Sequence, residues 1–122
     1  MKNVLSKYQA LSQKCRFRIM HLLIKAETPL CICELMDVLH KPQYKISRCL
    51  SILKEANLIT EERDGRLLMH SPDLSDPLNK QLFTSVEKVD LKENADLIVD
   101  IDNLNDRLSL RENGKVVVTY NS

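Results

Sequence analysis

Apolar residues recur at helical spacing through the first half of the chain. Segments of this kind are separated by turn-forming residues, so each predicts a separate helix. The predicted helices are Val4–Leu11, Cys15 to about Ala26, Cys31–Leu39 and Gln43–Ala56. Ser12 precedes the second of these and is its predicted N-cap, because a hydroxyl can accept from the first free backbone N–H groups.

The pattern becomes extended after Asn57. Residues from Leu58 onward alternate as in a strand, Asp64-Gly65 is a hairpin turn signal, and a return strand ends near His70. Two helices joined through His40-Lys41-Pro42 and followed by a hairpin have the order of a winged helix-turn-helix. We therefore predict a mainly α fold with a small β-hairpin wing. The alternative is an all-α domain with an incidental hairpin.

Two further helices are predicted in the second half, from about Asp76 to Val89 and from about Leu91 to Leu108. The last helix has an apolar stripe at 4-3-4 spacing, formed by Leu97, Ile101, Leu104 and Leu108. Such a stripe is typical of helix pairing, so we predict a homodimer formed through this helix. The alternative is that the stripe packs onto the protein's own core. The tail 111–122 is predicted to form a turn and then a short strand or ordered segment.

Composition and charge limit the possible classes of protein. A chain of 122 residues fits a single domain, with 11–70 as the winged-helix core and 91–108 as the dimerisation helix. Residues 1–10 lack an apolar run, and no segment reaches the length of a membrane span, so we expect a cytoplasmic protein that does not engage membranes. Its four cysteines should then be reduced.

Charge is distributed unevenly along the chain. Residues 13–54 contain eight Lys/Arg against three Asp/Glu, whereas residues 85–106 contain two Lys/Arg against seven Asp/Glu. A basic segment that coincides with the predicted helix pair favours a DNA-binding surface. Ordinary solvated faces are the alternative explanation.

The fourth predicted helix has two faces of different chemistry. Ile46, Leu50 and Leu53 recur at the spacing of a buried face. The opposite face begins with side chains that hydrogen-bond to bases and phosphates, namely Gln43, Tyr44, Lys45, Ser47 and Arg48. This helix is therefore predicted to be the recognition helix.

Three motifs resemble a known family. Leu30-Cys31-Ile32-Cys33-Glu34-Leu35 resembles the Leu-Cys-Val-Cys-Asp-Leu motif of arsenic-responsive repressors in the ArsR/SmtB family. Gln43-Tyr44-Lys45-Ile46-Ser47-Arg48-Cys49-Leu50 resembles the family's recognition helix, Gln-x-x-(Val/Ile)-Ser-Arg-His-Leu, and Lys54–Ile59 is similar to the segment that follows it. The resemblance covers about residues 11–70.

The resemblance implies a homodimeric winged-helix repressor that binds a pseudo-palindromic operator in double-stranded DNA and leaves it when a metal or metalloid binds. By position, Gln43, Lys45, Ser47 and Arg48 would face DNA. The implied wing contacts come from Asp64, Gly65 and Arg66. The implied inducer ligands are Cys31 and Cys33, with As(III) or Sb(III) as inducer, Zn or Cd as possible substitutes and no required cofactor.

The chain departs from the family pattern at three positions. Met36 stands where several arsenic-responsive members have a third Cys, and its thioether is a poor arsenite ligand. Cys49 replaces the His that follows Ser-Arg, and Cys15 replaces a Thr that precedes the Arg of the second helix. The third ligand is therefore open between Cys15, Cys49 and an external thiol.

Spacing alone leaves the Cys-x-Cys motif ambiguous. In a regular helix, positions two residues apart differ by about 200° around the axis, so the sulfurs of Cys31 and Cys33 are expected to diverge unless the first turn unwinds. As(III) prefers thiolates, and such unwinding would couple binding to the neighbouring helix. Cysteine is also a common buried residue, so both could be core residues. His21 lies in an apolar helix and is predicted to be packed rather than a ligand.

Two other functions remain open. A winged-helix repressor could respond to redox state or another signal without binding a metalloid. A thiol enzyme or arsenic-binding buffer would lack a DNA function. The sequence shows no nucleophile–base pairing, no phosphate-binding glycine loop and no paired carboxylates, so we do not expect an enzyme.

Overall fold

The computed structural model describes residues 1–120, and the last two residues of the predicted tail 111–122 lie outside this range. Within the described range the chain forms six helices and three strands. In chain order they are α1 (Lys2–Leu11), α2 (Lys14–Ala26), β1 (Leu30–Cys31), α3 (Ile32–Leu39), α4 (Gln43–Glu55), β2 (Ile59–Asp64), β3 (Leu67–Pro72), α5 (Pro77–Glu87) and α6 (Ala95–Leu108).

The start of α2 differs from the prediction by one residue. The side chain of Gln13 is the N-cap, since it accepts from the backbone N–H of Arg16 at 2.9 Å. The hydroxyl of Ser12 instead donates to the carbonyl of Gln9 at 2.8 Å, at the end of α1. The predicted Ser12 cap is therefore wrong, because the preceding helix uses that hydroxyl.

The last helix begins later than predicted, at Ala95 rather than about Leu91. The carboxylate of Asp90 accepts from the backbone N–H of Lys92 at 2.9 Å, and the side-chain amide of Asn94 donates to the Asp90 carbonyl at 2.6 Å. These local bonds hold the segment in a turn, which competes with helix formation. α5 begins as its sequence suggests, with the Asp76 carboxylate accepting from the N–H of Leu78 at 2.9 Å.

The three strands form one antiparallel sheet in the order β1-β3-β2. β2 and β3 are the predicted hairpin, with Asp64 opposite Leu67 and a two-residue turn between them. Gly65 occupies that turn at φ +63°, a conformation that glycine adopts without a steric cost. On the other edge of β3, Cys31 pairs with Met69, so the hairpin is joined to the start of α3.

Helix α2 lies at the centre of the core and packs against α1, α4, α5, α6 and β3. Its buried apolar residues include Ile19, Met20, Leu22 and Leu23. Lys7 on α1 is also buried, and its ammonium donates to the carbonyl of Ala56 at 3.1 Å and to the side-chain oxygen of Asn79 at 2.8 Å. These bonds satisfy a buried charge and fix the end of α4 against α1 and α5.

The apolar stripe of α6 packs inward. Leu97 and Leu104 are buried at 4% and 2% exposure, and the helix contacts α2 and α3. The protein's own core therefore covers two of the four stripe residues, whereas Ile101 and Leu108 are partly exposed, and dimerisation through this helix stays a prediction. The exposed apolar residues of α6 are Ile98 and Val99. Those of α1 are Val4, Leu5 and Tyr8.

Helices α3 and α4 are joined by a short turn, and the β2–β3 hairpin follows directly. His40 ends α3 in the left-handed conformation (φ 53°), and Pro42 then caps α4. This arrangement is a winged helix-turn-helix, which confirms the predicted fold class. No helix within residues 1–120 has the length and apolar character needed to cross a membrane.

Candidate nucleic-acid interface and cysteine sites

One face of α4 packs on the core and the other is open. Ile46, Leu50 and Leu53 are buried, as their spacing predicts. The predicted DNA-facing residues are all exposed: Gln43, Tyr44, Lys45, Ser47 and Arg48. The side chains of Lys45 and Arg48 make no hydrogen bond or ion pair with other residues in the range 1–120. Both cations therefore remain available for an external anion.

The wing tip is exposed as well. Gly65 and Arg66 form the turn, and Asp64 lies 3.7 Å from the ammonium of Lys115 in the tail. The predicted wing residues thus come together at one end of the hairpin, and one of them also meets the tail.

Cys31 and Cys33 lie at the start of α3, where the structure joins their sulfurs in a disulfide. Cys31 is the N-cap in an extended conformation (φ −89°, ψ 165°), and the helix begins at Ile32. Because one cysteine stands outside the helix, the sulfurs converge, and the divergence expected for a regular helix is wrong. The expectation of four reduced thiols does not hold for this pair.

Residues of the sheet and of the tail cover the disulfide. Cys31 and Cys33 are each 1% exposed and form a small cluster with Met69 of β3. Leu67 and Val116 pack against this cluster. A ligand can therefore reach the sulfurs only if part of this cover moves.

A buried ion pair holds the same region. Glu34 is fully buried, and its carboxylate accepts two hydrogen bonds from the Arg111 guanidinium, both at 2.8 Å. One carboxylate oxygen also accepts from the backbone N–H of Cys31 at 3.2 Å. Arg111 further donates to the carbonyl of Pro29 at 2.7 Å. The tail thus fixes the first turn of α3 directly.

The segment 111–118, which we call the C-terminal strap, crosses from α6 over α3 toward the wing. Glu112 and Lys115 bridge a turn in which Asn113 and Gly114 both have positive φ, so the predicted turn is confirmed. Residues 116–120 form no strand. Arg107 donates to the Asp37 carboxylate at 2.8 Å and to the carbonyl of Val118. Sequence reasoning missed this strap, because its partners lie far away along the chain.

Cys15 and Cys49 form a second, separate pair. Both are buried free cysteines in the main core cluster, each 7% exposed. Burial, reinforced by the neighbouring Cys15 thiol, raises the pKa of the Cys49 thiol to about 11.

Neither Cys15 nor Cys49 belongs to the cluster that surrounds Cys31 and Cys33. Their role as third ligand stays a prediction without support from the packing. Within residues 1–120, no group of three or more His, Cys, Asp or Glu side chains is arranged to hold a metal ion.

His21 is packed within the core, as predicted. It is fully buried, and neither ring nitrogen has a hydrogen-bond partner. Burial lowers the pKa of its imidazole, which keeps the ring neutral near neutral pH.

Comparison with known proteins identifies the central segment. Residues 14–61, from α2 to the start of the wing, match the family described as bacterial regulatory protein, arsR family. Because of this match, we call residues 14–61 the arsR segment. The arsR segment is 43% identical over 53 residues to the HTH-type transcriptional repressor SmtB of Mycobacterium tuberculosis, covering 43% of this chain and 39% of that protein.

Two further relatives have names that refer to arsenic. The arsenic resistance transcriptional regulator ArsR1 of Pseudomonas putida is 42% identical over 59 residues, covering 48% of this chain and 45% of that protein. The arsenical resistance operon repressor of Bacillus subtilis is 39% identical over 59 residues, covering 48% of this chain and 55% of that protein. The chain thus matches about half or less of the length of most of these relatives.

Proposed function

We propose that this chain is a DNA-binding transcriptional repressor that leaves its operator when a thiophilic metalloid or metal binds Cys31 and Cys33. The observation that carries the DNA function is the open face of α4, where five polar side chains stand exposed on a helix anchored by its other face. The arsR segment covers that helix and the one before it. Repression is the activity named for the mycobacterial and Bacillus relatives.

DNA binding is tested with anisotropy of labelled DNA taken from upstream of the protein's own gene. Arg48→Ala should weaken binding by about 1–3 kcal/mol, the value expected for a base or phosphate contact of an arginine. Lys80→Ala is the matched control, since it removes an exposed cation from α5, outside the helix pair and wing. If the Arg48 variant and the unchanged protein bind DNA with equal affinity, the exposed face of α4 is not the DNA-binding surface.

Two sulfurs in contact at the first turn of α3 support the inducer assignment. Trivalent arsenic is thiophilic, and two convergent thiolates can bind one such ion once the disulfide is reduced. α3 contacts α4 directly, so a change in its first turn can shift the recognition helix. As(III) is the first proposed inducer, because the names of two relatives refer to arsenic. Sb(III) is proposed beside it, because it is likewise soft and thiophilic.

The inducer is tested by titrating reduced, metal-free protein with arsenite in the absence of oxygen. Sulfur–arsenic absorption should saturate at one equivalent per subunit while DNA is released in parallel. Cys31→Ser should abolish release and keep DNA affinity. Release that persists in this variant would eliminate Cys31 and Cys33 as the sensor.

The disulfide itself favours a second candidate, a redox response of the same pair. Oxidation by a peroxide would join the two thiols, with both electrons and the protons passing to the peroxide as it becomes water. Peroxide-driven release that dithiothreitol reverses, together with no effect of arsenite, would select this reading over the first.

We propose a homodimer formed through exposed apolar residues of α1 and α6. The exposed apolar residues of α1 and α6, which include Leu5, Tyr8 and Val99, would pair with a second copy. Two copies related by a two-fold axis would present two α4 helices to a pseudo-palindromic site. Val99→Asp should yield monomers in analytical ultracentrifugation, whereas an unchanged dimer mass would place the contact elsewhere.

A further inference from the structure

The C-terminal strap is held in place by side chains rather than by a sheet. In the described part of the chain, its backbone-to-backbone hydrogen bonds beyond Arg111 join only Glu112 and Lys115 to each other. The rest of the cover over the disulfide, Leu67 and Met69, belongs to β3, the central strand of the sheet. Moving β3 would disrupt strand pairing on both of its sides, whereas moving the strap disrupts none. The strap is therefore the part of the cover that can open locally.

The strap is attached firmly at its start and weakly farther along. At its start, Arg111 donates two hydrogen bonds of 2.8 Å to the fully buried carboxylate of Glu34. Farther along, the ammonium of Lys115 lies 3.7 Å from the carboxylate of Asp64, and these side chains are 70% and 58% exposed. An exposed ion pair of this kind contributes little to stability. Opening should therefore begin at the Lys115 end.

The weakly attached part is also the part that covers the cysteines. Val116 packs against the cysteine cluster, and the carbonyl of Val118 accepts from Arg107. Arg107 also donates to the Asp37 carboxylate at 2.8 Å, so its charge keeps a partner when the bond to Val118 breaks. Residues 113–114 form a turn with positive φ just before this part. The chain beyond the turn can thus leave the cysteines while the buried ion pair stays formed.

An open cleft lies beside this cover. It has a volume of about 300 Å³ and lies between the wing and the strap. Gly114 and Lys115 line it from the strap, and Met69 lines it from β3. Neither Cys31 nor Cys33 lines the cleft, but Met69 belongs to the cluster that they form. When the strap leaves that cluster, we expect the cleft to extend to the sulfurs.

We propose that residues 114–118 of the strap are a gate over Cys31 and Cys33, and that Val116 is the side chain that closes it. In the closed state reagents do not reach the sulfurs. In the open state they enter through the cleft between the wing and the strap. The gate goes beyond the proposed function and serves the metalloid and the redox response alike, because both need a reagent at the sulfurs.

The test measures alkylation of the reduced full chain by iodoacetamide at pH 8 without oxygen. If the gate moves faster than the reagent reacts, the rate at Cys31 and Cys33 is proportional to the open fraction. Val116→Ala removes two methyl groups from the cover, and each buried carbon group is worth up to about fourfold, so this rate should rise about 3–15-fold. Val117→Ala is the matched control, because Val117 is exposed, and it should change the rate by about twofold or less.

Cys49 of the same chain separates opening of the gate from unfolding. It lies in the main core cluster, which is distinct from the cluster under the strap. Mass spectrometry of proteolytic fragments measures its alkylation separately from that of Cys31 and Cys33. We expect the Cys49 rate to be the same in all three proteins. An unchanged rate at Cys31 and Cys33 in Val116→Ala, or an equal rise at Cys49, would overturn the gate.

Leu67→Ala tests whether the wing moves instead. Leu67 packs on the same cluster from the first residue of β3. We expect it to raise the rate at Cys31 and Cys33 less than Val116→Ala does, because β3 stays paired on both sides. A larger rise from Leu67→Ala would assign the motion to the wing and refute the strap as the gate. Neither DNA nor an inducer is present in these experiments, so their outcome does not depend on the proposed function.

Discussion

Removing the Arg111 guanidinium should destabilise the whole fold, although Arg111 lies in the tail. The side chain of Arg111 is 9% exposed and that of Glu34 is 0% exposed, so Arg111→Ala leaves a carboxylate buried with one long hydrogen bond from the N–H of Cys31. Breaking a buried pair by removing one partner costs about 3–5 kcal/mol. With a urea dependence of about 2 kcal/mol per molar for a domain of this size, the unfolding midpoint should fall by about 1.5–2.5 M.

The assay is urea unfolding followed by circular dichroism at one fixed protein concentration. Lys115→Ala is the matched control, because it removes another cation of the strap whose ion pair with Asp64 is 3.7 Å long and largely exposed. A surface pair of this kind contributes about 0–1 kcal/mol, so this midpoint should change by about 0.5 M or less. A fall in the Arg111→Ala midpoint no larger than that of Lys115→Ala would refute the reasoning.

A double variant separates the cost of an orphaned charge from the strength of the pair. Arg111→Met combined with Glu34→Leu replaces both partners with apolar side chains, which is often close to neutral for stability. We expect the double variant to be more stable than Arg111→Ala. If it is less stable, the hydrogen bond that Glu34 accepts from the N–H of Cys31, which only the double variant lacks, outweighs the cost of the orphaned carboxylate.

Three other outcomes follow from burial. Leu104→Ala should lower the free energy of unfolding by about 2–5 kcal/mol, whereas Ile98→Ala, at an exposed position of the same helix, should change it by about 0.5 kcal/mol or less when both are measured in urea. The Cys49 thiol, with its pKa raised to about 11 mainly by burial, should resist iodoacetamide at pH 8 until denaturant is added, as counted by mass spectrometry. Burial lowers the pKa of His21 below 6.5, so the unfolded chain binds a proton that the native state lacks, and stability should fall as pH drops below about 6.5. His21→Leu should reduce that pH dependence, and an equal slope in both proteins would contradict it.

Local pattern predicted the helices, the hairpin and the open face of α4 because each depends on spacing within a few residues. A predicted helix boundary is displaced where two neighbouring helices can use the same side chain. Ser12 is the example, because its hydroxyl donates to the end of α1 instead of capping α2. The stripe of α6 illustrates a different limit. Periodicity shows that Leu97 and Leu104 are covered, and it does not show whether the cover is the core or a second chain.

The geometry of the cysteine sites could not be predicted from periodicity, because it depends on exact helix boundaries and on contacts between distant parts of the chain. Whether Cys31 is the N-cap or the first helical residue changes the direction of its sulfur, and boundaries of this kind are the least certain result of sequence reasoning. Cys15 and Cys49 join the same core cluster because α2 packs on α4. Nothing near Glu34 in the sequence indicates that Arg111 neutralises it.

The strap also sets the order in which the protein can be completed during synthesis. Glu34 and Arg111 are 77 residues apart, so the cysteine pair leaves the ribosome long before the arginine that fixes its helix and the valine that covers it. Until then, the first turn of α3 has an unpaired carboxylate, and both sulfurs are open to whatever oxidant or soft ion surrounds the growing chain. The chemical state of Cys31 and Cys33 can therefore be set before residues 111–118 are made, and these residues then enclose that state when they pack on α3 and β3.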